Sequence, residues 1–153
     1  MKIISVILAR GGSKGIPKKN LINIKEKSLI SYTINASLNS KVSETWVSTE
    51  DKFIKQEAIS HGAQVLDRPA KYSTDICQSE DALIHFAQNI ESDIIVFIQP
   101  TSPLLSSKYI DNLDGQIVIN LINGILRIDH VDKMLKVLML KMELFILILE
   151  ILY

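Results

Sequence analysis

The chain has 153 residues, a length that suggests one domain, and its 17 basic and 17 acidic side chains give a formal net charge of zero at pH 7. That balance does not favour nucleic acid or an anionic membrane as a general partner. The one cysteine, Cys77, excludes an internal disulfide and favours a reducing, cytoplasmic location.

Apolar periodicity predicts strands that alternate with helices as far as about residue 113. The predicted strands cover residues 2–9, 45–49, 63–69 and 93–100, and the predicted helices cover 28–40, 51–62, 79–90 and 106–113. Asp51 is a predicted N-cap and Gly62 a predicted helix stop. The first apolar run imitates a signal peptide, but it continues into Arg10 and is therefore predicted to be a strand.

This alternation predicts an α/β fold, a Rossmann-like three-layer α/β/α arrangement with a mostly parallel sheet. Right-handed crossovers then place helices on both faces of the sheet. Ligands bind such sheets at the carboxyl ends of the strands. The loops that follow residues 9, 48, 66 and 98 are therefore the predicted site.

The segment ILARGGSKGIPKKN, from Ile7 to Asn20, follows the first strand with a glycine pair and several basic side chains. Glycines let backbone N–H groups turn towards an anion, and Arg10, Lys14, Lys18 and Lys19 add positive charge. The composition suits a polyphosphate, and a solvated basic turn is the alternative. The segment lacks both the Walker pattern and the G-x-G-x-x-G fingerprint, which disfavours a P-loop NTPase and a dinucleotide-dependent dehydrogenase.

Four motifs together resemble the N-acylneuraminate cytidylyltransferases, also called CMP-sialic acid synthetases. They are LARGGSKGIPKKN, VSTED, RPAKYSTD and QPTSPL, and they occur in the family's order within residues 1 to about 113. The resemblance implies a nucleotidyltransferase-type fold that is incomplete at its C-terminal end. It also implies transfer of CMP from CTP to N-acetylneuraminate, release of pyrophosphate, and a requirement for Mg²⁺.

The resemblance assigns the triphosphate to the first motif. Arg10, Ser13 and Lys14 are implied to hold the phosphates, with the backbone of Gly11 and Gly12. Arg10 and Lys14 are the residues implied to act in catalysis. Lys19 and Asn20 are implied to reach phosphate and nucleotide.

The later motifs supply residues that resemble the family's base and sugar contacts. Arg68 resembles the base-reading arginine, whose planar donor fork suits the acceptor edge of cytosine, and Ser79 is implied to lie nearby. Gln99 resembles the residue that contacts the sugar acid. The alternatives are a surface turn residue for Arg68, a helix cap for Ser79 and an ordinary strand-end amide for Gln99.

The family pattern is lost after about Leu113. Members continue with an RRQD-type segment, an ENGA-type strand, a late acidic motif that holds Mg²⁺ and a dimerisation element. None of these occurs here, so no metal ligand is predicted, and the homodimer that the family implies is not expected of this chain. Residues 114–153 are interpreted as an aberrant apolar tail.

The tail has a specific explanation as an out-of-frame translation that follows a deletion. With free choice of codons, His130–Ile146 read in another frame can give RRQDA-like and ENGAFY-like segments at the family's spacing. Absence of both segments from the alternative frame of the gene would contradict this interpretation.

Several functions stay open at this point. The first is CMP transfer to sialic acid, and the others are an inactive nucleotide-binding remnant and a cytidylyltransferase for a related nonulosonate of the legionaminic type. The motif RGGSKGIPKKN disfavours 3-deoxy-manno-octulosonic acid as the sugar. A membrane-associated protein is disfavoured because charged residues interrupt the apolar tail. The expected partners are CTP and a sialic acid, without nucleic acid or membrane, and weak or no turnover is expected of this chain.

Overall fold

The structure is a computed structural model that describes residues 2–12, 15–74, 79–112, 117–122 and 125–130. Its strands are β1 (Ile3–Leu8), β2 (Asn23–Ile24), β3 (Lys27–Ser28), β4 (Glu44–Thr49), β5 (Gln64–Asp67), β6 (Ile94–Ile98), β7 (Ile117–Ile122) and β8 (Ile125–His130). Its helices are α1 (Leu29–Leu38), α2 (Lys52–Ser60), α3 (Ser79–Asn89) and α4 (Ser107–Asp111). Two 3₁₀ turns lie at Lys19–Leu21 and Ala70–Tyr72.

The main sheet has the strand order β5-β4-β1-β6-β7-β8. The pairs β5–β4, β4–β1 and β1–β6 are parallel, whereas β6–β7 and β7–β8 are antiparallel. The chain builds outwards from β1 to β5 and then crosses back to place β6 on the other side of β1. The switch point therefore lies between β1 and β6, where α/β sheets bind ligands.

Apolar side chains of β1 alternate between the two faces of this sheet. Ile4 and Val6 belong to a buried cluster that includes Phe86 of α3. Ile7 belongs to a second cluster, which also contains Ile30 of α1 and residues of α2 and α4. Helices thus cover both faces, and the predicted three-layer α/β/α fold is confirmed.

The predicted ends of α2 are confirmed. Asp51 is the N-cap, and its Oδ1 accepts hydrogen bonds from the backbone N–H groups of Phe53 at 2.8 Å and Ile54 at 3.0 Å. At the other end Gly62 has a φ of 89°, and the N–H of Ala63 donates to Ala58 O at 3.0 Å. This is a Schellman ending, in which glycine supplies the left-handed conformation.

Two pairs of strands were not predicted. The β2–β3 hairpin turns through Lys25 and Glu26, with φ values of 48° and 71°. Such turns usually contain Asn-Gly, so Lys-Glu gave no signal. The backbone of β7 and β8 falls within the segment interpreted as an aberrant tail. Residues after His130 lie outside the described part of the chain, and the out-of-frame origin stays a prediction.

The membrane alternative concerned the same tail. In the ranges that the structure describes, no helix has the length and apolar character needed to cross a membrane.

Candidate active site

The carboxyl edge of the sheet brings the predicted loops together. Strand β1 lies between β6 and β4, with Ile7 opposite Ile98 and Leu8 opposite Ser48. The loop after β1 therefore has the residues that follow β6 on one side and those that follow β4 on the other. The loop after β5 comes next, because Thr49 of β4 pairs with Asp67.

The glycine pair of the first loop, Gly11 and Gly12, has two different surroundings. A Cβ atom on Gly11 would lie 2.5 Å from Asp51 Oδ2 and 2.9 Å from Asp51 Cβ, distances too short for a side chain. A Cβ atom on Gly12 would meet nothing within 4 Å. The close approach of β1's loop to the N-cap of α2 therefore requires glycine at position 11 and not at position 12.

Glu50 connects three of the predicted loops. Its Oε1 accepts a hydrogen bond from the Gly11 N–H at 2.7 Å. Its Oε2 accepts from Ser73 Oγ at 2.7 Å and from Arg68 Nη2 at 3.1 Å. Arg68 Nε donates to the same Ser73 Oγ at 3.0 Å. We call Gly11, Glu50, Arg68 and Ser73 the Glu50 network.

Arg68 is buried, with only 4% of its side chain exposed. A buried guanidinium needs a charged partner, and Glu50 supplies it across the carboxyl edge of the sheet. The Gly11 N–H, predicted to face an anion, does hold one, but the anion is the chain's own carboxylate.

The hydrogen bonds of Glu50 also fix its charge. Partial burial raises the pKa of its carboxyl. Hydrogen bonds from Ser73, the Gly11 amide and Arg68 lower that pKa by more than burial raises it, so the pKa lies below the usual value of 4.5. Glu50 is therefore ionised near neutral pH and balances the charge of Arg68.

We expect acid to weaken the fold through Glu50. Because the folded pKa is lower than the unfolded value of 4.5, the unfolded chain binds this proton first as the pH falls. The stabilising contribution is thus complete above the unfolded pKa and is lost as the pH drops through the folded pKa. Urea unfolding between about pH 7 and pH 3 measures it. Glu50→Gln should show a shallower decline, and an equally steep decline would contradict the assignment.

Asn20 ties the first loop to the 3₁₀ turn that follows it. Its Nδ2 donates to Arg10 O at 3.1 Å, and the residue is only 6% exposed. Its Oδ1 is buried and has no hydrogen-bond partner among the described residues. Arg10 Nη1 reaches Thr74 O at 3.4 Å, which links this loop to the one after β5.

The lysines of the first motif divide into separate groups. Lys19 opens the 3₁₀ turn and is half-buried beside Asn20. Lys18 has a φ of 53°, and its Nζ lies 5.1 Å from the ring centroid of Phe53. Ser13 and Lys14 lie outside the described residues, so their predicted phosphate contacts stay predictions.

Ser79 and Gln99 lie at the predicted loops and are not members of the Glu50 network. Ser79 is exposed at the start of α3, and Gln99 is half-buried directly after β6. Thr33 Oγ1 of α1 donates to Pro100 O at 3.3 Å and so anchors the loop that carries Gln99.

Glu50 and Ser73 were missed as site residues. Both lie inside motifs already recognised, VSTED and RPAKYSTD, and Glu50 directly follows a parallel strand. A carboxylate directly after a parallel strand could have indicated a site residue.

The described ranges contain no group of three or more His, Cys, Asp or Glu side chains placed to hold a metal ion.

The fold and this loop arrangement define a nucleotidyltransferase-type α/β protein. The family model described as Cytidylyltransferase matches residues 4–119, and the chain belongs to that family. It is 42% identical over 110 residues to N-acylneuraminate cytidylyltransferase A of Danio rerio, a match covering 71% of this chain and 26% of the relative. The Escherichia coli O18:K1:H7 N-acylneuraminate cytidylyltransferase is 40% identical over 112 residues, with the same coverage.

A solved structure gives the same picture of the fold. CMP:2-keto-3-deoxy-manno-octonic acid synthetase complexed with CTP superposes with a TM-score of 0.67 at 27% identity, covering 74% of this chain and 46% of that one. The chain thus spans about a quarter of the length of the curated relatives it matches.

Proposed function

We propose that this protein transfers CMP from CTP to N-acetylneuraminate and releases pyrophosphate. The observation that supports it most directly is the Glu50 network, which joins the glycine loop after β1 to a buried arginine after β5. A phosphate-binding segment and a base-reading segment would then lie on one edge of the sheet. The identity to N-acylneuraminate cytidylyltransferases supports N-acetylneuraminate as the sugar acid.

The reaction is an in-line attack by the anomeric hydroxyl oxygen on the α-phosphorus. A new P–O bond forms, and the bond from the α-phosphorus to the pyrophosphate oxygen breaks, with its electron pair leaving on pyrophosphate. The proton of the attacking hydroxyl is released to water. This step depends on positioning and on charge stabilisation more than on covalent help. Arg10 and Lys14 are proposed to supply positive charge at the phosphates, with Ser13 and the Gly12 backbone, since the Gly11 N–H is already bound to Glu50.

The nucleoside is proposed to lie between the 3₁₀ turn and Arg68. Asn20 Oδ1 is a buried acceptor without a partner among the described residues, and a hydroxyl or amino group of the nucleotide would satisfy it. Lys19, next to it, is proposed to meet phosphate. Arg68 is proposed to read cytosine with Ser79 nearby, and Gln99 to contact the sugar acid across the switch point.

Mg²⁺ is included in this proposal only because the family resemblance implies it. Its general contribution would be to neutralise charge on the leaving pyrophosphate. The described residues do not fit a complete magnesium site, since they contain no suitable group of three ligands. Accordingly the proposed reaction step does not involve the ion.

A cytoplasmic location is likewise a proposal, supported by the single cysteine.

The first test is calorimetric titration of CTP into the purified chain, with and without Mg²⁺, beside Arg10→Ala. We expect CTP binding that falls at least tenfold in the variant, because a charge-assisted contact to phosphate is lost. Lys41→Ala is the matched control, since Lys41 is exposed and precedes β4 at the opposite edge of the sheet. No CTP binding by the unsubstituted chain, or equal binding by Arg10→Ala, would overturn the proposal.

A second sugar acid is favoured by one observation, the structural likeness to the octonic acid synthetase. The two candidates differ in the sugar and share the nucleotide. Product formation is measured from CTP with N-acetylneuraminate or with the eight-carbon acid and is compared with a blank lacking protein. This comparison distinguishes the two sugars, and it also tests whether the chain is an inactive nucleotide-binding remnant. A related legionaminic-type acid is the third sugar to include.

A further inference from the structure

We propose that Glu50 is a positioning residue for nucleotide selection, which sets the orientation of the Arg68 guanidinium and couples it to the glycine loop. The inference rests on the proposed function, because it assumes that Arg68 reads the base.

The geometry of Arg68 leads to this role. Nη2 contacts Glu50 Oε2 at 3.1 Å and Nε contacts Ser73 Oγ at 3.0 Å. Ser73 in turn donates to Glu50 Oε2 at 2.7 Å, so the three groups form a closed ring of hydrogen bonds. Two hydrogen bonds to one edge of the planar guanidinium hold its orientation. Neither contact uses Nη1, the nitrogen that we assign to the base.

The other oxygen of Glu50 extends the ring to the first loop. Oε1 accepts from the Gly11 N–H at 2.7 Å, and Gly11 is pressed against Asp51 at the N-cap of α2. One carboxylate thus sets the distance between the arginine that would read the base and the backbone that leads to the phosphate residues. Since a nucleoside triphosphate has both parts, a fixed distance favours ligands in which base and phosphate match it together.

The orientation of the Arg68 guanidinium donors determines which base is preferred. Cytosine presents adjacent acceptors at O2 and N3, whereas uracil has an N–H donor at position 3. A guanidinium held in one orientation meets two acceptors in the first case and a donor in the second. If the guanidinium turned freely, it would contact the O2 acceptor of either base, and the preference would shrink.

The test is the ratio of CTP to UTP affinity, measured by calorimetry on the full chain, for Glu50→Gln and for its matched control Glu44→Gln. Glutamine has the shape of glutamate but only one acceptor oxygen, so it cannot serve both Gly11 and Arg68. We expect Glu50→Gln to lower CTP affinity about tenfold and UTP affinity much less. Glu44 lies at the opposite end of β4, paired with Lys2 at 2.8 Å, and Glu44→Gln should leave both affinities unchanged.

Ser73→Ala gives a second, milder test, which also applies if Glu50→Gln fails to fold. It removes the hydroxyl that holds Arg68 Nε, and we expect the same fall in the CTP to UTP ratio. A ratio unchanged in the folded variants, an equal loss of CTP and UTP, or tighter CTP binding by Glu50→Gln would overturn the inference. Failure of the unsubstituted chain to prefer CTP would instead overturn the proposed function, and this inference with it.

Discussion

Gly11→Ala is expected to abolish CTP binding and to lower the free energy of unfolding by about 1–3 kcal/mol. The added methyl group would lie 2.5 Å from Asp51 Oδ2 and 2.9 Å from Asp51 Cβ. Asp51 cannot move aside without losing its hydrogen bonds to Phe53 and Ile54 at the start of α2. The loop must therefore shift, and the hydrogen bond from Gly11 to Glu50 shifts with it.

Gly12→Ala is the matched control, because a Cβ atom there meets nothing within 4 Å. It should change the free energy of unfolding little, as measured by urea unfolding. A rescue variant follows from the same contact. Asp51→Gly removes the obstructing atoms and costs only a few tenths of a kcal/mol as an N-cap, so it should restore binding in the Gly11→Ala background. Equal effects of the two alanine substitutions would show that the close approach is not what limits the loop.

The parallel strands β1, β4, β5 and β6 and the helices between them were predictable because each carries a strong local pattern. Val47 and Ile54 are buried members of one core cluster, and their segments have the periodicity of a strand and of a helix. Asp51 and Gly62 also act through local chemistry, capping and left-handed backbone. The Lys25–Glu26 turn was missed because its positive φ values occur at residue types that seldom adopt them.

Individual residues of the candidate site were predictable from the sequence, but the hydrogen bonds between them were not. The resemblance named Arg68, and composition named Gly11, yet neither shows that a carboxylate joins them. Glu50 and Arg68 are 18 positions apart and meet only because β4 and β5 are parallel neighbours. Ser73 contacts both of them because it follows a 3₁₀ turn at Ala70–Tyr72, which no sequence pattern predicted. Such contacts depend on register and on loop shape, which a single sequence does not fix.

Arg68→Ala is expected to have the other large effect, on stability and on ligand binding together. The substitution leaves the Glu50 carboxylate, whose side chain is 23% exposed, without its cationic partner and removes the buried guanidinium from beside Ser73. Loss of one partner from a largely buried ion pair should lower the free energy of unfolding by about 2–4 kcal/mol. CTP affinity should fall about 100-fold, since a donor fork to the base is also lost.

Arg68→Lys separates charge from geometry. Lysine retains the positive charge near Glu50, so part of the free energy of unfolding should return, but one ammonium cannot hold the planar arrangement that Nε and Nη2 make with Ser73 and Glu50. CTP affinity should therefore stay close to that of Arg68→Ala. Lys71→Ala is the control in the same loop, because Lys71 is exposed and its Nζ lies 4.7 Å from the Tyr72 ring centroid. Full recovery of CTP affinity by Arg68→Lys, measured where both variants are folded, would mean that charge alone matters at this position and that the fork does not read the base.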